Sequence, residues 1–338
     1  MESLAVKYRP KIFEDVVSQK SIIKILQRQI DLKDFSNVYL FCGPSGCGKT
    51  TIARIFANMI NNNIGQPIEI DGASNNGVDN IKSIVATANQ RALDSKYKIY
   101  IIDECHALTS QAWQAFLKCI EEPPEFTIFI FCTTDPQKIP ATILNRVMRF
   151  NFTKITHDKI RQRLEYICLK ENFTNYTEAC DYISKISNNQ MRDSIATLEK
   201  CSMYNTDLNI KNVQDVLGNC SYELLFDLMN FIIDNRQNDI LSFIDYIYSS
   251  GYDMKLFINQ MIDFCLDITK YIIFNDIKVT KIPTTYIESI LNVINFESCK
   301  EYYLYIIDKL LELKNMLKND NIPYTTIVVV LLQMARCK

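Results

Sequence analysis

The sequence predicts an α/β domain built on a doubly wound parallel sheet, followed by regions made only of helices. A glycine-rich loop lies between an apolar strand and a helix, and strands then alternate with helices as far as residue 152. After Thr153 no further strand is convincing. We therefore expect an α/β domain over residues 1–152, a small helical domain over 153–206 and an all-helical domain over 207–338.

The glycine-rich loop has the pattern G-x-x-x-x-G-K-T, which binds nucleotide phosphates. Apolar residues 38–41 before it are typical of a buried parallel strand, and the residues after it have helical spacing. Glycines let the loop turn its N–H groups toward phosphate, and the helix N-terminus adds positive charge. A chance glycine-rich turn is the alternative. The predicted phosphate-binding residues are Gly43, Pro44, Ser45, Gly46, Cys47, Gly48, Lys49 and Thr50.

Two acidic residues end a later strand, at Lys98–Ile102. In a phosphate-loop enzyme, Lys49 contacts the β- and γ-phosphates of ATP and Thr50 binds Mg²⁺. We expect Asp103 to hold the same Mg²⁺ and Glu104 to act as general base on the attacking water. A solvated acidic pair at a strand end is the alternative.

The other predicted strands are 67–74, which includes a turn, 126–134 and 147–152. The predicted helices between them are 21–30, 78–91, 110–121 and 139–146. Because the carboxyl ends of parallel strands meet at one edge of a sheet, we expect Gly43, Asp103 and Thr134 to lie together.

Composition restricts the partners of the chain. The formal net charge is −2, so contact with nucleic acid must come from a local patch or from an assembly. Twelve cysteines contain no C-x-x-C pair and only two histidines accompany them, so we expect no zinc site and a reducing, cytoplasmic location. No signal core precedes the first domain, and the late apolar run 327–332 is too short to span a membrane.

Helical patterns continue through residues 159–171, 176–187 and 191–204. Arg192 lies at the start of the last of these, where a surface pair with Asp193 is the alternative to a functional role. Longer amphipathic helices follow, with breaks expected at 235–238, 249–251, Pro283 and Pro323. We interpret His106 as a local structural residue and Trp113 as packing.

The order of these motifs resembles the gamma/tau ATPase subunit of bacterial DNA polymerase III clamp loaders, in the AAA+ superfamily. It is more distantly similar to the small subunits of replication factor C. The match covers about the first 150 residues and later rests on 191–193 and helical character. The matching segments are 4–10, 13–17, 43–51, 69–79, 100–106, 117–124 and 133–146.

The resemblance implies roles for residues outside the loop. Thr51 would join the loop in contacting nucleotide. Residues near the adenine would be Tyr8, Arg9, Pro10 and Val17. Thr134 would position the lytic water, and Arg192 would contact the phosphates of its own chain. Arg146 would be an arginine finger that reaches the γ-phosphate held by the neighbouring subunit.

The resemblance also implies the function. The chain would be a DNA-stimulated ATPase subunit, using ATP and Mg²⁺, in a ring of five that loads a sliding clamp onto primer–template DNA. Its DNA contacts would be to phosphates and independent of sequence, with Asn75, Asn76 and Lys82 as the expected residues. A solvated helix start is an equal alternative for those three residues. No membrane partner is expected.

Three features depart from the family pattern. The Ser-Arg-Cys motif reads Asn145-Arg146-Val147, the four-cysteine zinc module is missing, and we expect no tau-type extension. Two other functions stay open. One is a different AAA+ ring motor, such as a branch-migration helicase or a remodelling motor. The other is a structural loader subunit that binds nucleotide without hydrolysing it.

Overall fold

A computed structural model of the chain describes residues 2–295, 299–317 and 323–336. The chain divides into two compact units. The first is Met1–Ile167 with Ser187–Thr197, and the second is Cys168–Ile186 with Leu198–Lys338. The expected division into three domains stays a prediction.

The first unit contains a five-stranded sheet in which every pairing is parallel, in the order β2-β3-β4-β1-β5. Its strands are β1 Val38–Cys42, β2 Ile68–Asp71, β3 Lys98–Asp103, β4 Thr127–Thr133 and β5 Met148–Asn151. Its helices are α1 Leu4–Lys7, α2 Lys20–Leu32, α3 Lys49–Ile60, α4 Val78–Ala88, α5 Ser110–Glu121 and α6 Ala141–Leu144. Two longer helices, α7 His157–Glu171 and α9 Met191–Tyr204, each contribute residues to both units, and α8 Tyr176–Ile186 lies in the second.

Helices cover both faces of the sheet, which confirms the doubly wound α/β fold. Alternate residues of β1 belong to different cores because successive side chains of a strand point to opposite faces. Tyr39 packs against Phe56 of α3, with ring centroids 5.2 Å apart. On the other face Trp113 of α5 packs against Phe131 at 5.3 Å, the packing role that its apolar surroundings predicted.

The strand register brings the predicted catalytic groups to one edge of the sheet. Cys42 at the end of β1 pairs with Thr133 at the end of β4, and the N–H of Gly43 donates to the Thr133 carbonyl at 3.1 Å. On the other side of β4, Ile102 pairs with Phe131, so Asp103 ends β3 at the same edge. The expected convergence of Gly43, Asp103 and Thr134 is confirmed.

Several elements differ from the sequence prediction, three of them as follows. Residues 4–7 form a short helix that was not predicted. Helix α6 begins at Ala141 instead of 139, because a residue before proline favours extended backbone and Pro140 follows Ile139. Helix α4 ends at Ala88 instead of 91, since the Asn89 and Lys98 side chains bind the carbonyls of its last turn.

The second unit is helical. Its further helices are α10 Ile210–Leu217, α11 Tyr222–Ile233, α12 Gln237–Ser249, α13 Met254–Phe274, α14 Ile287–Ile294, α15 Cys299–Met316 and α16 Pro323–Arg336. The predicted breaks near residues 235, 250, 283 and 323 all fall at or beside helix ends. Buried Asp267 on α13 binds the Lys270 ammonium at 2.7 Å and the Lys281 N–H at 2.8 Å, which ties the following segment to the helix.

Among the described helices, none is by itself both long and apolar enough to cross a membrane. The pair α10 and α11, bent by 78°, meets that length and composition only when the two helices are joined.

Candidate functional site

A cavity of about 190 Å³ lies in the first unit beside the glycine-rich loop. Helix α3 begins at Lys49, directly after Gly48, whose φ of +99° is a conformation that side-chained residues rarely adopt. The start of α3 borders the cavity, so its N-terminal dipole favours an anion there. The loop residues that line the cavity are Ser45, Gly46, Cys47, Gly48, Lys49, Thr50 and Thr51.

The loop lysine is held by loop carbonyls. Lys49 is only 6% exposed, and its ammonium donates to the Gly43 carbonyl at 2.8 Å and to the Pro44 carbonyl at 2.9 Å. A buried ammonium needs hydrogen-bond acceptors of this kind. Gly43 and Pro44 are outside the cavity lining. They contribute by holding the positive charge beside the cavity.

A hydroxyl from the loop helix meets a carboxylate from the sheet. Thr50 Oγ1 donates to Asp103 Oδ2 at 2.7 Å, and both residues line the cavity. The other carboxylate oxygen, Oδ1, accepts the N–H of Glu104 at 3.0 Å. Hydroxyl and carboxylate oxygens are hard ligands, and Mg²⁺ typically takes one or two such protein groups together with substrate phosphates. This donor pair therefore fits Mg²⁺.

Among the residues that the structure describes, protein side chains alone form no metal site. No group of three or more histidine, cysteine, aspartate or glutamate residues is placed to hold an ion there. Ten of the eleven described cysteines are buried.

Glu104 lies on a sharp turn at the end of β3. Its φ is +46°, a left-handed value that is costly for a residue with a side chain. Its Oε2 accepts a hydrogen bond from Thr134 Oγ1 at 3.2 Å. Gly72 packs against this turn, because a Cβ there would lie 2.9 Å from the Asp103 carbonyl oxygen. The turn therefore depends on glycine at position 72.

His106 contacts the same carboxylate. Its Nδ1 is 3.2 Å from Glu104 Oε2 and 3.3 Å from Thr133 Oγ1. The sequence interpretation gave His106 only a local structural role and missed this contact with the predicted general base. The sequence signal that could have indicated this contact is the position of His106, two residues after Glu104. A turn at the sheet edge can bring two such side chains together.

The N-terminal segment forms another wall of the cavity. Tyr8, Arg9, Pro10 and Val17, the residues expected near adenine, all line it. Arg163 of α7 also lines the cavity, and its guanidinium donates to the Tyr8 carbonyl at 2.7 Å. Sequence reasoning missed Arg163, because an arginine on an amphipathic helix carries no local sign of a partner 155 positions away.

Gln19 is a second residue that sequence reasoning missed. It is 7% exposed and has a left-handed φ of +65°. Its amide donates to the Thr153 carbonyl at 2.7 Å and its Oε1 accepts the Thr153 N–H at 3.2 Å. A longer contact of 3.4 Å joins the same amide nitrogen to the carbonyl of Cys47 in the loop. Gln19 therefore connects the N-terminal segment to the loop.

The start of α9 is tied to the loop as well. The N–H of Met191 donates to the Gly46 carbonyl at 3.2 Å. Gly46 has a φ of +67°, and a Cβ there would lie 2.9 Å from the Cβ of Gln190. Arg192 is exposed and lines the cavity. The structure thus brings Arg192 to the cavity beside the loop, and its contact with the phosphates stays a prediction.

Arg146 is not among the residues that line the cavity of its own chain. It is exposed, directly after α6. One guanidinium nitrogen donates to the Thr142 carbonyl at 2.7 Å and another lies 2.9 Å from Glu121 Oε1. Its predicted action on a neighbouring subunit stays a prediction.

The residues expected at DNA lie around the start of α4. The Asn75 amide donates to the Asp71 carbonyl at 3.1 Å, within its own turn. Asn76 is exposed, and Lys82, with a side chain 68% exposed, lies 3.9 Å from Asp79. Contact with DNA stays a prediction for all three.

Comparison with known families matches three regions of the chain. Residues 1–109 match the Rad17 P-loop domain, and residues 66–156 match the DNA polymerase III delta subunit family. Residues 208–305 match domain III of the DNA polymerase III gamma and tau subunits.

Curated relatives carry the same names. The DNA polymerase III subunit gamma of Buchnera aphidicola is 31% identical over 288 residues, which are 79% of this chain and 80% of that protein. The chain belongs to the DNA polymerase III gamma/tau family. The tau subunit of Bacillus subtilis is 36% identical over 286 residues, 78% of this chain and 51% of that protein. The gamma/tau subunit of Mycoplasma genitalium is 31% identical over 91% of this chain and 55% of that protein. The chain thus spans about half the length of these last two relatives.

Solved structures share the fold of this gamma/tau family member. The RuvB Holliday junction branch migration motor of Thermotoga maritima aligns with a TM-score of 0.53 over 73% of this chain and 86% of that one, at 18% identity. At that identity the likeness concerns the fold alone.

Proposed function

We propose that the chain is the ATP-hydrolysing subunit of a DNA sliding-clamp loader. One observation carries the proposal: Thr50, Asp103 and Glu104 meet at a cavity that the glycine-rich loop lines, in a chain of the gamma/tau family. The phosphate loop, a hydroxyl–carboxylate pair and a second carboxylate are the groups that ATP hydrolysis requires.

In the proposed reaction a water attacks the γ-phosphorus of ATP. A new O–P bond forms, the bond from phosphorus to the bridging oxygen breaks, and ADP leaves. Glu104 accepts the proton of the water, and Thr134 restrains its carboxylate through Oε2. Thr50 and Asp103 would hold Mg²⁺, which neutralises charge on the β- and γ-phosphates when bound. Lys49 contacts the same phosphates.

The remaining cavity residues take the roles that the resemblance implies. Tyr8, Arg9, Pro10 and Val17 hold the adenine, since they line the same cavity as the loop. Arg192 contacts the phosphates in cis, since the Met191–Gly46 hydrogen bond fixes the start of α9 at the loop.

Arg146 completes the site of a neighbouring copy. Its ion pair with Glu121 joins two side chains that are 41% and 39% exposed, and pairs of that kind contribute only about 0–1 kcal/mol. Breaking this ion pair to turn the guanidinium toward a neighbour therefore costs little. A finger supplied in trans makes hydrolysis depend on assembly, with a gain of about 10³–10⁵ in rate in related phosphate-loop enzymes.

The proposed function also requires partner subunits, a sliding clamp and DNA. Other loader subunits form a ring of five with this chain, which opens a sliding clamp and binds primer–template DNA through phosphates in the cytoplasm. Lys82, Asn75 and Asn76 are exposed or half-buried around the start of α4, which supports a phosphate contact there. The RuvB likeness does not favour a branch-migration motor, because it concerns the fold alone.

The test is steady-state ATP hydrolysis by the full chain with its co-purifying partner subunits. We expect primer–template DNA plus clamp to raise the rate. Arg146→Ala should remove that increase, whereas Arg149→Ala, a nearby exposed arginine outside the cavity lining, should keep it. Hydrolysis at the same rate with and without DNA and clamp would favour a different AAA+ ring motor. Normal clamp loading by Lys49→Ala would favour the structural subunit.

A further inference from the structure

We propose that His106 is a positioning residue for the general base Glu104. The inference rests on the proposed function, because it gives His106 a role in the same hydrolysis. Nδ1 of His106 and Oγ1 of Thr134 approach the same oxygen, Oε2 of Glu104, each at 3.2 Å. The two contacts come from different elements, the turn after β3 and the end of β4.

The double contact leaves one carboxylate oxygen for chemistry. A glutamate side chain has several rotatable bonds, and the Glu104 side chain is 40% exposed, so it needs restraint to hold one orientation. With Oε2 bound by His106 and Thr134, Oε1 is the oxygen that accepts the proton of the attacking water. Proton transfer requires heavy atoms about 2.6–3.2 Å apart, so this orientation decides the rate.

The backbone conformation directs His106 toward the Glu104 carboxylate. The left-handed φ of +46° at Glu104 starts a short 3₁₀ turn over Cys105–Ala107, which the Ala107 N–H closes on the Glu104 carbonyl at 3.0 Å. The turn directs the imidazole back at the carboxylate two positions earlier. The imidazole is 21% exposed, so solvent competes little with its contacts.

Thr133 gives the imidazole an alternative partner. Its Oγ1 lies 3.3 Å from Nδ1 and itself accepts the Asp135 N–H at 3.0 Å. A neutral imidazole nitrogen is either a donor or an acceptor. With the proton on Nδ1, His106 donates to Glu104. With the proton on the other nitrogen, Nδ1 accepts from the Thr133 hydroxyl, and Glu104 keeps only Thr134.

Two substitutions at His106 distinguish loss of the hydrogen-bond donor from loss of the imidazole ring. The side-chain nitrogen of His106→Asn is attached to the same carbon as Nδ1, so it can donate to Glu104. His106→Leu keeps bulk without a donor. Each variant is assayed in the full chain with its partner subunits, Mg²⁺–ATP, primer–template DNA and clamp. Because a misplaced catalytic group costs about 10²-fold, we expect kcat to fall by about that factor in His106→Leu with KM for ATP unchanged.

The conservative variant His106→Asn distinguishes a positioning role of His106 from a role in folding. His106→Asn should recover kcat to within about tenfold of wild type, since it restores one hydrogen bond. His157→Leu, which removes the other histidine of the chain, an exposed residue at the start of α7, should leave kcat unchanged. Wild-type kcat in His106→Leu, equal losses in both His106 variants, or a loss confined to KM would overturn the inference.

A Glu104→Gln reference distinguishes this failure from failure of the proposed function. If wild type hydrolyses ATP and Glu104→Gln does not, the function holds, and the His106 variants test the inference alone. If the assembled wild type shows no hydrolysis that depends on Glu104, both the proposed function and the inference fail.

Discussion

The hydroxyl of Thr50 donates to the Asp103 carboxylate at 2.7 Å, which joins the first turn of α3 to the end of β3. The two residues are 53 positions apart in sequence. Both are half-buried at the cavity, and each lies on a regular element, Thr50 on α3 and Asp103 on β3. A hard cation between them would also meet the phosphates held by the loop.

Removing the Thr50 hydroxyl should weaken the dependence of nucleotide binding on Mg²⁺. Thr50→Val keeps the shape of the side chain but replaces the oxygen with a methyl group. We expect the Mg²⁺-dependent gain in ATP affinity, measured by isothermal titration with and without Mg²⁺, to fall by about tenfold or more, because one hard ligand is lost.

Thr50→Ser is the matched control, since it keeps the hydroxyl and loses the methyl group. It should retain most of the Mg²⁺-dependent gain. Equal affinity for Mg²⁺–ATP in Thr50→Val and wild type would show that Thr50 is not a ligand.

Gly72→Ala should slow hydrolysis while ATP still binds. A Cβ at position 72 would lie 2.9 Å from the Asp103 carbonyl oxygen and 3.0 Å from that of Glu104, both on the backbone. The turn that carries Glu104 must then shift, and a shift of about 1 Å in a catalytic group costs about 10²-fold in kcat. The measurement is kcat and KM for ATP.

Gly77→Ala provides the control for this substitution. Its Cβ would meet nothing within 4 Å, and its φ of −80° suits any residue. Both variants add one methyl group near the same end of the sheet. A loss of kcat in Gly77→Ala equal to that in Gly72→Ala would contradict the steric explanation.

Local sequence patterns predicted the sheet, its flanking helices and the loop. Helix α5 has the predicted bounds, 110–121, because Thr109 caps its start by accepting the Ala112 N–H and two prolines follow its end. The sheet edge followed from strand order alone, and so did the meeting of Gly43 and Asp103 there.

Residues whose partners lie far away in sequence escaped prediction. Gln19 binds Thr153, 134 positions away. Its left-handed backbone could not be predicted from the residue type, because glutamine rarely adopts that conformation. The contact of His106 with Glu104 is short in sequence, but it depends on the positive φ between them. Both features depend on tertiary packing, which local propensity does not encode.

Gln19→Leu should destabilise the first unit. Leucine fills similar volume but removes the amide that makes two part-buried hydrogen bonds with the Thr153 backbone. A hydrogen bond of this kind contributes about 0.5–1.5 kcal/mol net, so we expect the free energy of unfolding to fall by about 1 kcal/mol or more. Urea unfolding, followed by the fluorescence of Trp113 in the same unit, measures the change.

Gln27→Leu is the control, because its amide binds the exposed Asp31 carboxylate one helical turn later, at 3.1 Å. It should change the urea midpoint little. If Gln19→Leu unfolds at the wild-type urea concentration, the Gln19 hydrogen bonds do not stabilise the loop.

The buried thiols should resist modification at mildly alkaline pH. Burial raises the pKa of Cys47 in the loop, although a helix N-terminus ordinarily lowers a thiol pKa. Burial also raises the pKa of Cys201 to about 11 and that of Cys220 to about 12. A raised pKa keeps the unreactive thiol form populated at pH values below it, so reactivity should increase only as pH rises toward these values.

The measurement is a titration with Ellman's reagent near pH 8. In denaturant all twelve cysteines should react. In the native protein the ten buried thiols should react slowly. Rapid modification of most thiols in the native protein would contradict the described burial.

We propose that Arg146 completes the ATP site of the neighbouring subunit, and mixed assemblies of two variants test this. Lys49→Ala chains lack their own phosphate contact but offer an intact arginine, and Arg146→Ala chains have the reverse. We predict that neither variant alone shows the increase in hydrolysis with primer–template DNA and clamp, and that co-assembled mixtures do, because some interfaces join an intact Lys49 to an intact Arg146. Mixtures as inactive as either variant alone would contradict the claim.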